Sequence, residues 1–248
     1  MRGQSHPRVR LICLAHAGGM AAPYAAWNRT LPAWIRAEPL ELPGRGRRFK
    51  ESTVVEPERL VELLARDVIR LGAEPFALFG HSLGAVLAFE IARELMAHRQ
   101  PSPELLIVSG RNAPSISEGR EPIHELPDEQ FIQALTAYQE ATAHDLSEPQ
   151  LRDVFLPLLR ADFTLLARYR FRDSQPLACP IRAFIGTSDP NVDSNAVAPW
   201  RSLTSASFAL RTFTGGHFYL RDAAPVIAAV ETELSDHFGV KPHTLKLP

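Results

Sequence analysis

The stretch FALFGHSLGAVLAFEIARELMAH at residues 76–98 decides the fold. Its first four residues form an apolar run that predicts a buried strand, and residues 85–98 have the apolar spacing of a long helix. The intervening GHSLG matches G-x-S-x-G. Between a strand and a helix, this pattern predicts a strained turn with Ser82 at its tip and glycine at 80 and 84, where the two elements nearly collide. An ordinary turn with a capping serine is the alternative.

Strands alternate with helices along most of the chain. The same reading predicts further strands at 8–15, 36–42, 104–110, 181–187 and 207–213. It predicts further helices at 21–31, 57–71, 128–140, 150–169 and 223–237. Because this alternation implies right-handed crossovers, we expect an α/β fold with a mostly parallel sheet and helices on both faces.

The alternation breaks between residues 112 and 175, where the pattern is helical and no good strand is found. Pro157 is expected to kink or divide the second helix of this stretch. We interpret residues 112–175 as a helical insertion over the sheet, inside one domain spanning 1–248. Residues 239–248 are expected to form a loose tail.

The composition is that of an ordinary globular protein, with 248 residues, a net charge of −1, 45% hydrophobic residues and 22% charged residues. The near-zero net charge gives no reason to expect a nucleic-acid partner. The apolar runs are too short for a membrane span, and the N-terminus lacks the apolar region of a secretory signal. Cys13 and Cys179 are too few and too isolated for a disulfide framework or a zinc site. We expect a cytoplasmic protein with two reduced thiols and no metal.

A serine hydroxyl becomes a good nucleophile only when a base takes its proton and an acid orients that base. In this order of elements the acid follows a late strand and the histidine follows the last strand. His217 is the only histidine placed directly after the strand at 207–213. Asp189 and Asp193 both follow the strand at 181–187. We favour Asp189, because the turn GTSDP can hold it rigidly, and Asp193 is the alternative.

A developing oxyanion needs preorganised N–H donors. The backbone N–H of Leu83, directly after the serine, is one candidate. The second is expected from the small-residue turn HAGG at 16–19, where Ala17 is our choice and Gly18 the alternative. His16 is interpreted as a residue that structures this loop, with a third catalytic role as the alternative.

Six segments together resemble the α/β-hydrolase superfamily and, within it, the stand-alone (type II) thioesterases of polyketide synthases and nonribosomal peptide synthetases. The resemblance covers about residues 9–238. It rests on HAGG at 16–19, ELPGRGRR at 41–48, FGHSLGA at 79–85, LRADFTLLARYR at 159–170, GTSDP at 186–190 and GGHFYL at 215–220.

The resemblance implies that Ser82, Asp189 and His217 form a catalytic triad, the same residues that the chain order selects. It implies hydrolysis of acyl thioesters on the phosphopantetheine arm of carrier proteins, which removes stalled or wrongly loaded acyl groups. No cofactor is implied, since the arm belongs to the substrate. It also implies that residues 112–175 form a lid over an acyl chamber.

Two surfaces follow from this resemblance. Aromatic residues expected to line the chamber are Phe131, Tyr138, Phe155, Phe163 and Phe218, with packing between lid and sheet as the alternative. Basic residues expected to dock an acidic carrier protein are Arg45, Arg47, Arg48 and Lys50, with solvated surface charge as the alternative. Residues 118–148 hold eight Asp and Glu residues and one Arg. Their net charge is therefore −7, and that of the rest of the chain is +6. We therefore expect docking on the basic body of a monomer.

Two rival functions remain. A carboxylesterase or lipase would use the same fold and triad on oxygen esters. A non-catalytic binding protein could retain the fold as a receptor, although the intact set of Ser82, Asp189 and His217 argues against it.

Overall fold

The computed structural model describes residues 8–116, 122–137, 146 and 148–240. Its six strands form one sheet in the order β2-β1-β3-β4-β5-β6, and each neighbouring pair is parallel. The strands are β1 Val9–Leu14, β2 Ile35–Pro39, β3 Phe76–His81, β4 Leu105–Ser109, β5 Ile181–Gly186 and β6 Phe208–Phe213. The predicted mostly parallel sheet is confirmed.

Helices cover both faces of this sheet. They are α1 Ala22–Ala25, α2 Pro57–Arg70, α3 Leu83–Ala97, α4 Asp128–Ala137, α5 Pro149–Arg168, α6 Ser194–Val197 and α7 Ala223–Phe238. Short 3₁₀ turns occupy Ala26–Arg29, Gly46–Arg48, Ile123–Glu125, Ala198–Leu203 and Tyr219–Arg221.

Successive side chains of the central strands enter two different cores, as the period-2 geometry of a strand requires. On β3, Leu78 joins the core shared with α2, α3 and α5, whereas Phe79 joins the core shared with α7. β1, β3 and β4 are buried along their whole length. This burial explains why these strands are mostly apolar in the sequence, with Arg10 of β1 and His81 of β3 as buried polar exceptions.

Two helix predictions need correction. The segment predicted as one helix at 21–31 is α1 followed by a 3₁₀ turn, because the Asn28 side chain bonds the backbone of Ala37 at both N (2.8 Å) and O (2.9 Å) and ties this segment to β2. α5 is a single helix that continues through Pro157, so of the two expected effects the division is wrong, and the kink stays a prediction. Burial of Leu156 and Leu159 on either side of the proline packs both halves of the helix into the core.

The predicted lid lies partly outside the described residues, as do Tyr138 and all of the predicted tail except Gly239 and Val240. Within the part of 112–175 that the structure describes, α4 and α5 are present and no strand is found. α5 contributes Leu159, Phe163 and Leu165 to the main core, so its central part is built into the body of the protein. Among the described helices, none is long and apolar enough to cross a membrane.

All six strands are parallel, so their carboxyl ends meet at one edge of the sheet. The loop at 16–19 follows β1, Ser82 follows β3, Asp189 follows β5 and His217 follows β6. Ligands of open α/β sheets bind at this edge. The parallel topology by itself therefore brings the candidate residues to one edge of the sheet.

Candidate active site

Ser82 occupies the strained turn that the sequence predicted between β3 and α3. Its backbone has φ 55° and ψ −112°, a combination that non-glycine residues rarely adopt, and its side chain makes no capping hydrogen bond to the helix. The capping alternative is therefore wrong. Strain of this kind persists only where the surrounding structure enforces it, and it clusters at functional sites.

Glycine is required on both sides of this turn because the backbones are too close for a side chain. A Cβ at Gly80 would lie 2.0 Å from the carbonyl oxygen of Gly84, and a Cβ at Gly84 would lie 2.2 Å from that of Leu14. The Ser82 N–H donates to the Ser109 carbonyl at 2.8 Å, which joins the turn to the end of β4.

Asp189 is the carboxylate in contact with the candidate base. Its Oδ2 lies 2.7 Å from His217 Nδ1, and its Oδ1 accepts the Asn191 N–H at 2.8 Å. Asp189 and His217 are both buried. Asp193, the alternative, accepts the N–H of Asn195 at 3.0 Å and caps α6. The geometry thus favours Asp189 as the residue that orients His217.

The loops carrying this pair are locked together beyond the ends of β5 and β6. The Thr187 N–H donates to the Phe213 carbonyl at 2.8 Å and the Ser188 N–H to that of Gly215 at 2.9 Å. The His217 ring then lies beside that of His81, with centroids 5.0 Å apart. Since His81 directly precedes Ser82, the imidazole is brought to the strained turn.

The two predicted oxyanion donors lie at the meeting point of β1 and α3. Neither the Ala17 nor the Leu83 N–H donates to another described residue. The Gly18 N–H donates to Asp162 Oδ2 at 2.7 Å, and the Gly19 N–H donates to the His16 carbonyl at 2.9 Å. The alternative donor, Gly18, is therefore already engaged, and the geometry favours Ala17.

Sequence reasoning missed a chain of polar side chains behind the site. His81 Nδ1 lies 2.9 Å from the hydroxyl of Ser109, which is hydrogen-bonded in turn to the hydroxyl of Tyr219. All three residues are buried. The sequence signal was available in the tyrosine two residues after His217, within GGHFYL.

His16 and His81 are both neutral imidazoles at physiological pH. Burial, reinforced by His217, lowers the pKa of His81 well below 6.5. Burial first, then the charges of His217, Arg45 and Arg221, lowers the pKa of His16 to about 4. The His16 ring packs edge-on against Phe218 with centroids 4.9 Å apart, a contact suited to shaping the loop.

The described chamber candidates occupy two different environments. Phe218 is partly exposed next to His217 and His16. Phe131 is fully buried and packs edge-on against Phe163 at 5.8 Å, and Phe155 packs against the same core. Phe131, Phe155 and Phe163 therefore pack within the core, and Phe218 is the described candidate that contacts His217.

The basic stretch at 45–50 divides into buried and exposed residues. The expectation that Arg45 belongs to a docking surface is wrong, because its guanidinium is buried in an ion pair with Asp162. Arg48 is committed to Glu51 at 2.6 Å and Asp67 at 2.9 Å. Arg47 and Lys50 are exposed.

A serine on a strained strand–helix turn, with an aspartate–histidine pair at the same edge of a parallel sheet, defines the α/β-hydrolase class. The family model described as "Thioesterase domain" matches residues 9–234 of the chain. The chain therefore belongs to the thioesterase domain family, and the resemblance drawn from its sequence is confirmed.

Individual relatives agree with this assignment. The gramicidin S biosynthesis protein GrsT of Aneurinibacillus migulanus is 36% identical over 88% of this chain and 86% of its own length. Thioesterase PikA5 of Streptomyces venezuelae is 38% identical over 94% of this chain and 82% of its own. The solved structure of the type II thioesterase BorB from the borrelidin biosynthetic cluster has a TM-score of 0.81 and 35% identity, covering 93% of this chain and 92% of that one.

The buried neutral His81 predicts a loss of stability in mild acid. Below pH 6.5 the unfolded chain binds a proton at this residue while the folded protein does not, so the free energy of unfolding falls as the pH is lowered. The slope from one such imidazole reaches about 1.4 kcal/mol per pH unit. Urea unfolding at pH 7.5 and 5.5 measures the change.

His81→Asn supplies the control, because the amide retains a polar group for the Ser109 hydroxyl and does not titrate. We expect the stability of this variant to change less than that of the wild type over the same interval, by about 1 kcal/mol. Equal losses in the two proteins would contradict the assignment of a neutral His81.

Proposed function

We propose that this chain is a stand-alone editing thioesterase that hydrolyses acyl or aminoacyl thioesters held on carrier proteins of polyketide or nonribosomal peptide synthases. The hydrogen bond between Asp189 and His217 beside the strained Ser82 is the observation that carries the proposal. Membership of the thioesterase family supports a thioester as the bond that is cleaved. The names of GrsT and BorB, which refer to gramicidin S biosynthesis and to the borrelidin biosynthetic cluster, support the class of pathway. We further propose that the protein acts as a monomer in the cytoplasm.

In the acylation step, Ser82 Oγ attacks the thioester carbonyl carbon while His217 Nε2 takes its proton. Asp189 accepts the hydrogen bond from Nδ1–H, which fixes the tautomer and stabilises the imidazolium. The N–H groups of Ala17 and Leu83 bind the oxyanion of the tetrahedral intermediate. The intermediate collapses, the C–S bond breaks, and the thiol leaves with the proton from His217.

Deacylation runs through the same groups. His217 removes a proton from a water molecule as the oxygen of that water attacks the acyl-serine carbonyl, and it then returns the proton to Ser82 Oγ. The acid is released and the serine is regenerated. The chain supplies nucleophile, base, orienting acid and oxyanion donors, so the reaction needs no cofactor, and the phosphopantetheine arm belongs to the substrate.

Ser82→Ala should lower kcat for thioester hydrolysis by about 10⁴ to 10⁶, because the triad acts as a unit. Asp189→Asn should lower it by about 10⁴ through loss of the correct imidazole tautomer. Asp193→Asn is the matched control, since this carboxylate only caps α6, and it should leave kcat within about threefold. Steady-state kinetics test all three. Full activity in Ser82→Ala would refute the triad.

Substrate preference separates the proposal from a carboxylesterase. We expect a higher kcat/KM for an acyl group on the pantetheine arm of a carrier protein than for the p-nitrophenyl ester of the same acyl group. The carrier adds contacts that the small ester lacks. A large preference for the p-nitrophenyl ester would overturn the thioesterase proposal, and failure of the wild type to hydrolyse either substrate would favour the receptor alternative.

We propose the exposed part of residues 45–50 as the docking surface for the carrier. Arg47 and Lys50 are exposed, and between them Phe49 is 67% exposed, which adds an apolar contact to two positive charges. Complementary charge raises the association rate of such complexes more than it raises their final affinity. This surface follows the carboxyl end of β2 and therefore lies on the side of the sheet edge that carries Ser82.

Arg47→Glu and Lys50→Glu should each lower kcat/KM for a carrier-bound thioester by roughly three- to tenfold at low salt, with less effect at high salt. The same variants should hydrolyse a small N-acetylcysteamine thioester normally. Arg8→Glu is the control, because it reverses the charge of an exposed residue just before β1, at the opposite edge of the sheet. Equal losses on the small thioester would rule out a docking role.

A further inference from the structure

A buried ion pair joins three segments that are far apart in the sequence. Arg45, in the loop after β2, donates two hydrogen bonds to Asp162 of α5, at 2.7 Å and 2.6 Å. Both side chains are only 2% exposed. Asp162 Oδ2 also accepts the N–H of Gly18, and Arg45 donates to the Gly19 carbonyl at 3.3 Å. The pair therefore contacts the loop that holds Ala17 at two consecutive residues.

Stability alone is a weak explanation for this arrangement. Removing two charges from water costs several kcal/mol per ion, and well-packed apolar residues often replace buried pairs without loss. The hydrogen bond from the Gly18 N–H to Asp162 depends on direction, because it requires an acceptor at the position of the Asp162 carboxylate. Leu159, one turn earlier on α5, fills the adjacent space, since a Cβ at Gly18 would lie 2.5 Å from its Cδ2.

We propose that Asp162, held in place by Arg45, is a positioning residue for the oxyanion donor Ala17. The hydrogen bond fixes the direction of the Gly18 N–H and so the plane of the peptide that links Ala17 to Gly18. On the other side of Ala17, a hydrogen bond from the Gly19 N–H to the His16 carbonyl closes the loop. Ala17 is restrained from both sides, and its own N–H is left to point at the substrate. This inference rests on the proposed oxyanion role of Ala17.

Two double variants isolate the acceptor from the ion pair. Arg45→Met/Asp162→Leu removes both charges and leaves the Gly18 N–H without an acceptor. Arg45→Met/Asp162→Asn also removes both charges but retains an amide oxygen that can accept that N–H. We expect the Leu variant to lose about 10² in kcat, the magnitude of one lost oxyanion donor. The Asn variant should stay within about tenfold of the wild type, with KM for a short acyl thioester unchanged in both.

A second readout separates positioning from general destabilisation. A trifluoromethyl ketone analogue of the acyl group forms a tetrahedral adduct with serine and needs the oxyanion donors, whereas the product acid binds without that adduct. The inhibition constant of the ketone should rise with the loss of kcat in the Leu variant, and that of the acid should not. Arg160→Met, on the same helix, is the control. It breaks the contact to Asp128 and should lower Tm while kcat stays within about threefold.

Equal kcat in the two double variants, or losses that follow only their Tm values, would overturn the positioning role. If the Leu variant does not fold, Asp162→Glu replaces it. This variant retains the charge but displaces the carboxylate, so kcat should fall at least tenfold at constant KM, and an unchanged kcat would overturn the proposal. The Ser82→Ala variant distinguishes failure of the positioning role from failure of the proposed function. An active Ser82→Ala would refute the proposed function itself.

Discussion

The close approach of β3 and α3 at Ser82 is the constraint on which the rest of the site depends. Gly84 lies so near the carbonyl of Leu14 that the start of α3 is pressed against the end of β1. This contact places the N–H of Leu83 beside the loop that carries Ala17. The strained turn at Ser82 and the position of the Leu83 N–H, a proposed oxyanion donor, therefore both depend on glycine at position 84.

Three of the six segments that carry the resemblance also meet at one place. HAGG supplies Gly18, the PGRGRR loop supplies Arg45, and the LRADF segment of α5 supplies Asp162, whose carboxylate binds the other two. Arg160, two residues before Asp162, pairs with Asp128, the first residue of α4, at 2.6 Å. α5 therefore connects the loop at 16–19 to α4. In this chain, each of the three segments supplies a group that contacts at least one of the other two.

Most of the sheet and the catalytic candidates were predictable because they depend on local patterns and chain order. β3 and α3 follow from apolar spacing around GHSLG, and parallel topology places Asp189 and His217 at the same edge. Arg45 was not predictable, because a cluster of arginines in a loop resembles a solvated surface when its partner lies 117 residues away. The signal that could have found this partner is Asp162 itself, a carboxylate next to Ala161 and Phe163 within the apolar face of α5.

The same limit applies to the histidines. Position along the chain selects His217, but only the folded protein shows that His16 and His81 also lie near it and that burial keeps both of them uncharged. Two charged imidazoles at these positions would repel the imidazolium that the proposed mechanism forms on His217. Among the described histidines, His217 is the one whose ring is hydrogen-bonded to Asp189. Burial therefore keeps the two neighbouring imidazoles from adding positive charge beside His217.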